Sequence, residues 1–297
     1  MAKPEKIKVP SKDFFAWEYE EQTRIKHKVL QEYFRIYASK LGSRGNTLFF
    51  DCHGGCGAYI DTDGSLYYGS SILVYKVAQS VYEKRLYTNN QIIICERNIE
   101  YFENLKRVLN DAGINNNSNK MYNKDYNDVL HDEFNRIAYN TNATLFFIDP
   151  FGYYDTPMIG MKDLMKTFGN EILINFMFDF LNRGISVSAI DEMQLNNFFG
   201  CDCWKKAKDL NGNERETFLV NLYKRKLKEI TGAKFVFTYR ICYPNRDQTY
   251  YYLIHATNHI DGITLMKSSF ASICNGRVSY LGKRNNMMSF FDMDYYK

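Results

Sequence analysis

With 297 residues, 45% of them hydrophobic and 16% aromatic, the chain has the composition of a globular protein able to bury a sizeable core. Its formal charge of +4 permits an acidic partner without requiring one, so where the basic residues cluster matters more than their sum. No apolar stretch reaches the roughly 18 residues of a membrane span. The N-terminal MAKPEKIKVPSKDFF lacks a signal peptide's apolar core, and seven cysteines without a secretory signal point to reduced thiols, hence a cytoplasmic protein with no membrane association.

Residues 17–40 place Ile25, Val29, Leu30, Tyr33, Phe34 and Tyr37 at helical spacing, which predicts an amphipathic helix ahead of the first strand. TLFFD (47–51) is an apolar run ending in an acid and breaking into the glycines Gly54, Gly55 and Gly57, a buried strand followed by a tight turn. A loop insertion over 58–69 and a helix over 70–84 follow. QIIICE (91–96) is a second buried strand, and 98–113 a helix with Tyr101, Leu105, Val108 and Ala112 on one stripe. NNNSN (115–119) is a polar turn, Met121–Asp125 a short strand, and a helix runs on to about Tyr139. TLFFIDPFG (144–152) is a strand ending in acid and proline, followed by a helix over 158–168 and a strand over 171–178. Repeated strand–helix units with nearly continuous apolar strands predict a doubly wound, mainly parallel Rossmann-like α/β sheet. After residue 180 the rhythm changes to helices, then to two long strands, 234–243 and 250–259, forming an antiparallel C-terminal hairpin, a helix over 261–274 and an aromatic tail. The expected division is an N-terminal helical segment (1–45), a core (46–180 and 232–297) and a helical insertion (181–231) facing substrate.

Ligands of such sheets bind beyond the carboxyl ends of the strands, and Asp51, Glu96, Asp125 and Asp149 are expected at four successive strand ends. An acid after the second strand suits a ribose diol. Glu96 lies 96 − 51 = 45 positions after Asp51, longer than the ~20 of a dinucleotide fingerprint. The turn is not G-x-G-x-x-G, which favours a donor with ribose and adenine but no pyrophosphate. In IDPFGY, Pro150 has no N–H, so nearby carbonyls are left to a ligand. Asp149 adds an acceptor, and Phe151 or Tyr153 offers a ring for a base.

Asp51-x-x-x-Gly55-x-Gly57, Glu96 and Asp149-Pro150-Phe151-Gly152, in that order, resemble the class I S-adenosylmethionine-dependent methyltransferases, and the last tetrapeptide resembles the motif of enzymes methylating amino groups of nucleic acids. KHKVLQEYF (26–34), FFDCHGGCG (49–57), YGSS (68–71), FFIDPFGY (146–153), LINFMFDF (173–180), NFFGCDCW (197–204) and YYYLIHATNH (250–259) together resemble the bacterial three-Cys-motif partner proteins (TcmP), whose name refers to cysteines of a partner protein. The resemblance implies S-adenosyl-L-methionine as cofactor. Asp51, Gly55 and Gly57 would meet its methionine end, Glu96 its ribose and Asp125 its adenine amine. Asp149, Pro150 and Phe151 would place the acceptor, an amino group of RNA or DNA. Cys52, His53, Gly54 and Cys56 depart from the usual glycine turn and alter the floor of that site.

Lys205, Lys206, Lys224 and Arg225, interleaved with Trp204 and Tyr223, would with Tyr153 bind substrate by following a phosphate backbone; a solvated helix face is the alternative. Cys52-His53-x-x-Cys56 with Cys201-x-Cys203 lacks the paired spacing of structural zinc, and no metal is expected. His255 and His259 share a strand face but stand far apart. Three readings follow: an amino-group methyltransferase, a non-catalytic binding or scaffold protein with a partner carrying the three-Cys motif, and a metal-dependent nuclease using Asp51, Glu96 and Asp149.

Overall fold

The computed structural model describes residues 15–42, 45–84, 90–114, 120–138, 143–153, 156–187 and 191–282, so the polar turn at 115–119 and the aromatic tail at 283–297 lie outside the described residues. The chain divides into two compact units, Met1–Asp149 with Leu164–Leu173, and Pro150–Asp163 with Ile174–Lys297.

In chain order the first unit carries strand β1 (Trp17–Glu18), helix α1 (Glu21–Leu41), strands β2 (Thr47–Asp51), β3 (Ala58–Ile60) and β4 (Leu66–Tyr68), and helix α2 (Ser70–Lys84). Strand β5 (Asn90–Cys95), helix α3 (Ile99–Asp111), strand β6 (Lys120–Tyr122), helix α4 (Tyr126–Ala138), strand β7 (Ala143–Ile148) and the first half of β8 (Glu171–Phe176) complete it. Every residue of β2 is buried, and β2 runs parallel to both neighbours, with Phe50 opposite Ile93 of β5 and Phe146 of β7. A strand covered on both faces needs an apolar centre, which LFF in TLFFD, III in NQIIIC and LFFI in ATLFFI supply. Phe34 of α1 packs edge-on against Phe49 with centroids 5.5 Å apart. The strand order is β6-β5-β2-β7-β8, so the sheet grows one way from β2 and then the other, making a switch point between the tips of β2 and β7.

Three expectations change in this unit. The first helix starts at Glu21 rather than at 17, because Trp17 and Glu18 pair in parallel with Tyr59 and Ile60. The expected loop over 58–69 is an antiparallel hairpin, Ala58 opposite Tyr68 and Ile60 opposite Leu66. Aromatic and branched residues supply the strands, and the turn closes through Asp61 N–H to Ser65 O (2.8 Å) and Ser65 N–H to Asp63 Oδ1 (2.8 Å). The third strand stops at Tyr122, so Asp125 stands at the start of α4 instead of at a strand end; its Oδ1 accepts the Asn127 N–H at 2.9 Å, the chemistry of a helix start.

The second unit holds a 3-10 turn (Met158–Met161), the second half of β8, α5 (Phe178–Ser186), α6 (Glu192–Phe199), a 3-10 segment (Cys203–Asp209), α7 (Gly212–Thr231), β9 (Phe235–Cys242), β10 (Thr249–Thr257) and α8 (Ile260–Ile273). The helix expected over 158–168 is only that short turn followed by irregular chain. Its bonds run from Gly160 N–H to Pro157 O and from Lys162 N–H to Ile159 O, three residues back, and Gly160 weakens any longer helix. The order here is β8-β10-β9, and the hairpin is antiparallel as expected, with Leu253 opposite Tyr239. Trp204 is fully buried, and Phe176, Phe198 and Tyr223 form a ring cluster with centroids 4.9–5.7 Å apart. The protein is thus α/β with a mainly parallel sheet, as the sequence predicts.

Candidate cofactor site at the strand tips

The tip of β2 is built around Asp51, which has no solvent exposure. Ser70 and Ser71, opening α2, donate their hydroxyls to its Oδ2 at 2.8 and 2.5 Å, and the His53 N–H reaches Oδ1 at 3.2 Å. Burial nevertheless raises its pKa to about 6, and the nearby Asp149 charge adds to that rise.

Glu96 follows β5 directly and is buried. Its Oε2 accepts the Gly55 N–H at 2.9 Å and its Oε1 the Asn98 N–H at 2.8 Å, which fixes the carboxylate from both sides. Asn123 donates to the Glu96 carbonyl at 2.8 Å, tying the end of β5 to the end of β6. Burial holds the Cys95 thiol well above its ordinary value, and the charges of Asp51, Asp125 and Glu96 all add to it. Three of the predicted carboxylates therefore stand within electrostatic reach of one buried sulfur.

Gly55 sits at φ +63°, and a Cβ there would lie 2.6 Å from the Trp17 indole. Trp17 meets Tyr101 edge-on at 5.2 Å, and Phe15 stacks on Tyr101 at 5.7 Å. Asn104 accepts the Phe15 N–H at 2.9 Å and donates to the Phe15 and Cys56 carbonyls at 2.8 and 2.7 Å. Residues 15–17 thereby form a strap across the glycine turn. At Gly57 the missing Cβ would lie 2.6 Å from Leu105, so both glycines are required by the chain's own packing.

Asp149 follows β7. The ammonium of Lys26, from α1, lies 2.7 and 2.5 Å from its two carboxylate oxygens, and both side chains are largely buried. Beside them His27 meets the Tyr19 hydroxyl at 3.1 Å, and burial together with the Lys26 charge lowers its pKa to about 3. Sequence reasoning missed Lys26, His27 and the strap. Their signals were a lysine and a histidine inside the helical motif KHKVLQEYF, and an aromatic run F-A-W-x-Y ahead of it.

In the second unit Phe151 is 63% exposed, whereas Tyr153 is buried with its ring 5.8 Å from Phe180 and 6.0 Å from Phe198. Lys205 pairs with Glu192 at 3.0 Å, alongside Lys208 at 2.6 Å. Arg225 shares Glu229 with Lys226, at 3.7 and 2.9 Å. Lys224 is half-buried and its pKa is lowered by that burial, while Lys206 is exposed. Acidic neighbours thus compensate part of the basic stretch. His255 is buried, and His259 caps α8 by accepting the Asp261 N–H at 3.1 Å. Among the described residues no group of three or more His, Cys, Asp or Glu could hold a metal ion, and no helix is long and apolar enough to cross a membrane.

No protein-family model matches the chain, and no curated protein matches it in sequence. Solved structures do resemble it. A Legionella pneumophila protein superposes with TM-score 0.46 at 13% identity, over 86% of this chain and 93% of its own. The Bacillus cereus O-methyltransferase in complex with SAH gives 0.43 at 11% identity, over 82% and 84%. Human methyltransferase-like protein 13 in complex with SAH gives 0.41 at 8% identity, over 93% and 99%.

Proposed function

We propose that this chain is an S-adenosylmethionine-dependent methyltransferase-like protein that transfers a methyl group to an amino group of a nucleic-acid base. The observation that carries this reading is the arrangement in the first unit: a sheet ordered β6-β5-β2-β7-β8, with Asp51, Glu96 and Asp149 at or just beyond the tips of β2, β5 and β7.

The chemistry of the tips fits the adenosyl part of the donor. Glu96, held by two backbone amides, would accept the ribose hydroxyls, and Asp125 the adenine amine. Asp51 supports the glycine turn through His53 and α2 through the two serines. The Gly55 flank does not fit the methionine end, because the Trp17 indole covers it. When bound, the donor supplies an electrophilic methyl group. Lys26 orients the Asp149 carboxylate, which would accept an N–H of the incoming amine and take up its proton after transfer. In the second unit, taken by itself, the exposed Phe151 offers a ring for base stacking, and Lys206 with its basic neighbours offers charge for a phosphate backbone. Rate would come chiefly from alignment, since an amine needs no strong base.

The covered Gly55 flank favours a second reading, a donor-binding or scaffold protein that acts with a partner and performs no transfer. Tritium transfer from labelled S-adenosylmethionine to mixed RNA and DNA tests the choice. Label in nucleic acid that disappears with Asp149→Ala supports the enzyme; donor binding without transfer to any nucleic acid supports the scaffold. Full transfer by Asp149→Ala would remove that residue from the mechanism.

A further inference from the structure

Of the seven cysteines, Cys52, Cys56, Cys95, Cys242 and Cys274 are buried, whereas Cys201 and Cys203 are partly exposed. Cys201 lies just after the Gly200 cap of α6, and Cys203 opens the 3-10 segment, with Asp202 between them. Gly200 closes α6 in the left-handed conformation, φ +66°, and a Cβ there would lie 3.2 Å from Met158. On the other side Trp204 is fully buried and donates its indole N–H to Asn196 Oδ1 at 2.8 Å, so both ends of this stretch are anchored. Between the cysteines Asp202 adopts φ −92° and ψ 2°, a folded conformation that draws its neighbours' Cα atoms into the ~4.4–6.8 Å range of a disulfide. Lys226 of α7 lies within electrostatic reach of both sulfurs.

We propose that Cys201 and Cys203 form a redox-active dithiol that closes reversibly to an intrachain disulfide by exchange with a low-molecular-weight disulfide. The thiolate of one cysteine attacks a sulfur of the external disulfide, forming a mixed disulfide and releasing one small thiol. The second cysteine then attacks the protein-side sulfur and expels the other. Two protein thiols are oxidised, one external disulfide is reduced to two thiols, and the two protons pass to those products. Burial, with the neighbouring thiol, holds Cys201 above its ordinary range, so exchange is slow at neutral pH and quickens with alkalinity.

The full chain is equilibrated in buffers of glutathione and glutathione disulfide, acid-quenched, alkylated and analysed by peptide mass spectrometry. The expected result is loss of two hydrogens from the peptide containing Cys201 and Cys203, without a glutathione adduct, and with both thiols restored by excess dithiol reductant. Cys203→Ser should instead accumulate a glutathione adduct on Cys201, because the resolving thiol is gone. Retention of both thiols in fully oxidised buffer would overturn the proposal. So would a lasting glutathione adduct on the unaltered chain, or equal oxidation of the five buried cysteines.

Discussion

Lys26 and Asp149, 123 positions apart, form a largely buried ion pair with the ammonium 2.7 and 2.5 Å from the two carboxylate oxygens. Removing one partner leaves the other charge buried and unpaired, which costs about 3–5 kcal/mol, whereas removing both costs much less. Lys26→Met should therefore destabilise the chain by about 3 kcal/mol in urea unfolding, and Lys26→Met with Asp149→Asn should recover a substantial part of that loss. Additive losses would show that the pair is not coupled.

Asp51 and His27 impose opposite pH dependences. The Asp51 pKa is raised from 3.8 to about 6, so the folded chain holds a proton that the unfolded chain has released, and stability falls as pH rises from about 4 to about 6. His27 is lowered from 6.5 to about 3, so the unfolded chain binds a proton that the folded chain refuses, and stability falls as pH drops below about 6.5. Each slope is about 1.4 kcal/mol per pH unit, and the two largely cancel between about pH 4 and 6. Relative to the unaltered chain, Asp51→Asn should steepen the acid loss in that window and His27→Gln should reverse it. Urea midpoints across the window check this; shifts of the same sign in both variants would contradict it.

The strap over the glycine turn gives a third outcome. Gly55→Ala has to hold a side chain at φ +63° and displace the Trp17 ring from 2.6 Å. The backbone term alone is about 1–2 kcal/mol, so the total loss should exceed that. In a Trp17→Ala background the loss should shrink to the backbone term. Equal losses in the two backgrounds, measured by thermal or urea unfolding, would mean that the indole does not press on Gly55.

The parts of the fold legible in the sequence are those whose residues repeat one demand. TLFFD, QIIIC, TLFFI and EILINF each carry a continuous apolar run (LFF, IIIC, LFFI, ILI) because each strand is covered by the rest of the fold, and the long 235–242 and 249–257 strands are marked by a polar turn between them. Asp51 and Glu96 were legible because each breaks such a run. What stayed hidden depends on contacts between distant residues. Lys26 looks like one more charge on an amphipathic helix until Asp149 arrives from the end of β7. Trp17 and Tyr59 read as the start of a helix and part of a loop, because the parallel pair they make is set by tertiary packing.

On the proposed nucleic-acid reading, acidic neighbours set the lysines of the basic stretch apart. Glu192 already pairs with Lys205 at 3.0 Å, whereas Lys206 is exposed. Binding of single-stranded RNA or DNA, followed against salt, should lose about 0.7 of its logarithmic slope with Lys206→Ala. Lys205→Ala should change the slope less. The reverse ranking would move the phosphate path away from Lys206.

The most direct measurement is calorimetric titration of the chain with S-adenosylmethionine, repeated on Glu96→Gln. Saturable binding is expected, weakened by about 10- to 100-fold in the variant, the effect of losing hydrogen bonds to a charged acceptor. Absence of binding to the unaltered chain, or undiminished affinity in a folded Glu96→Gln, would contradict an adenosyl site at the tip of β5.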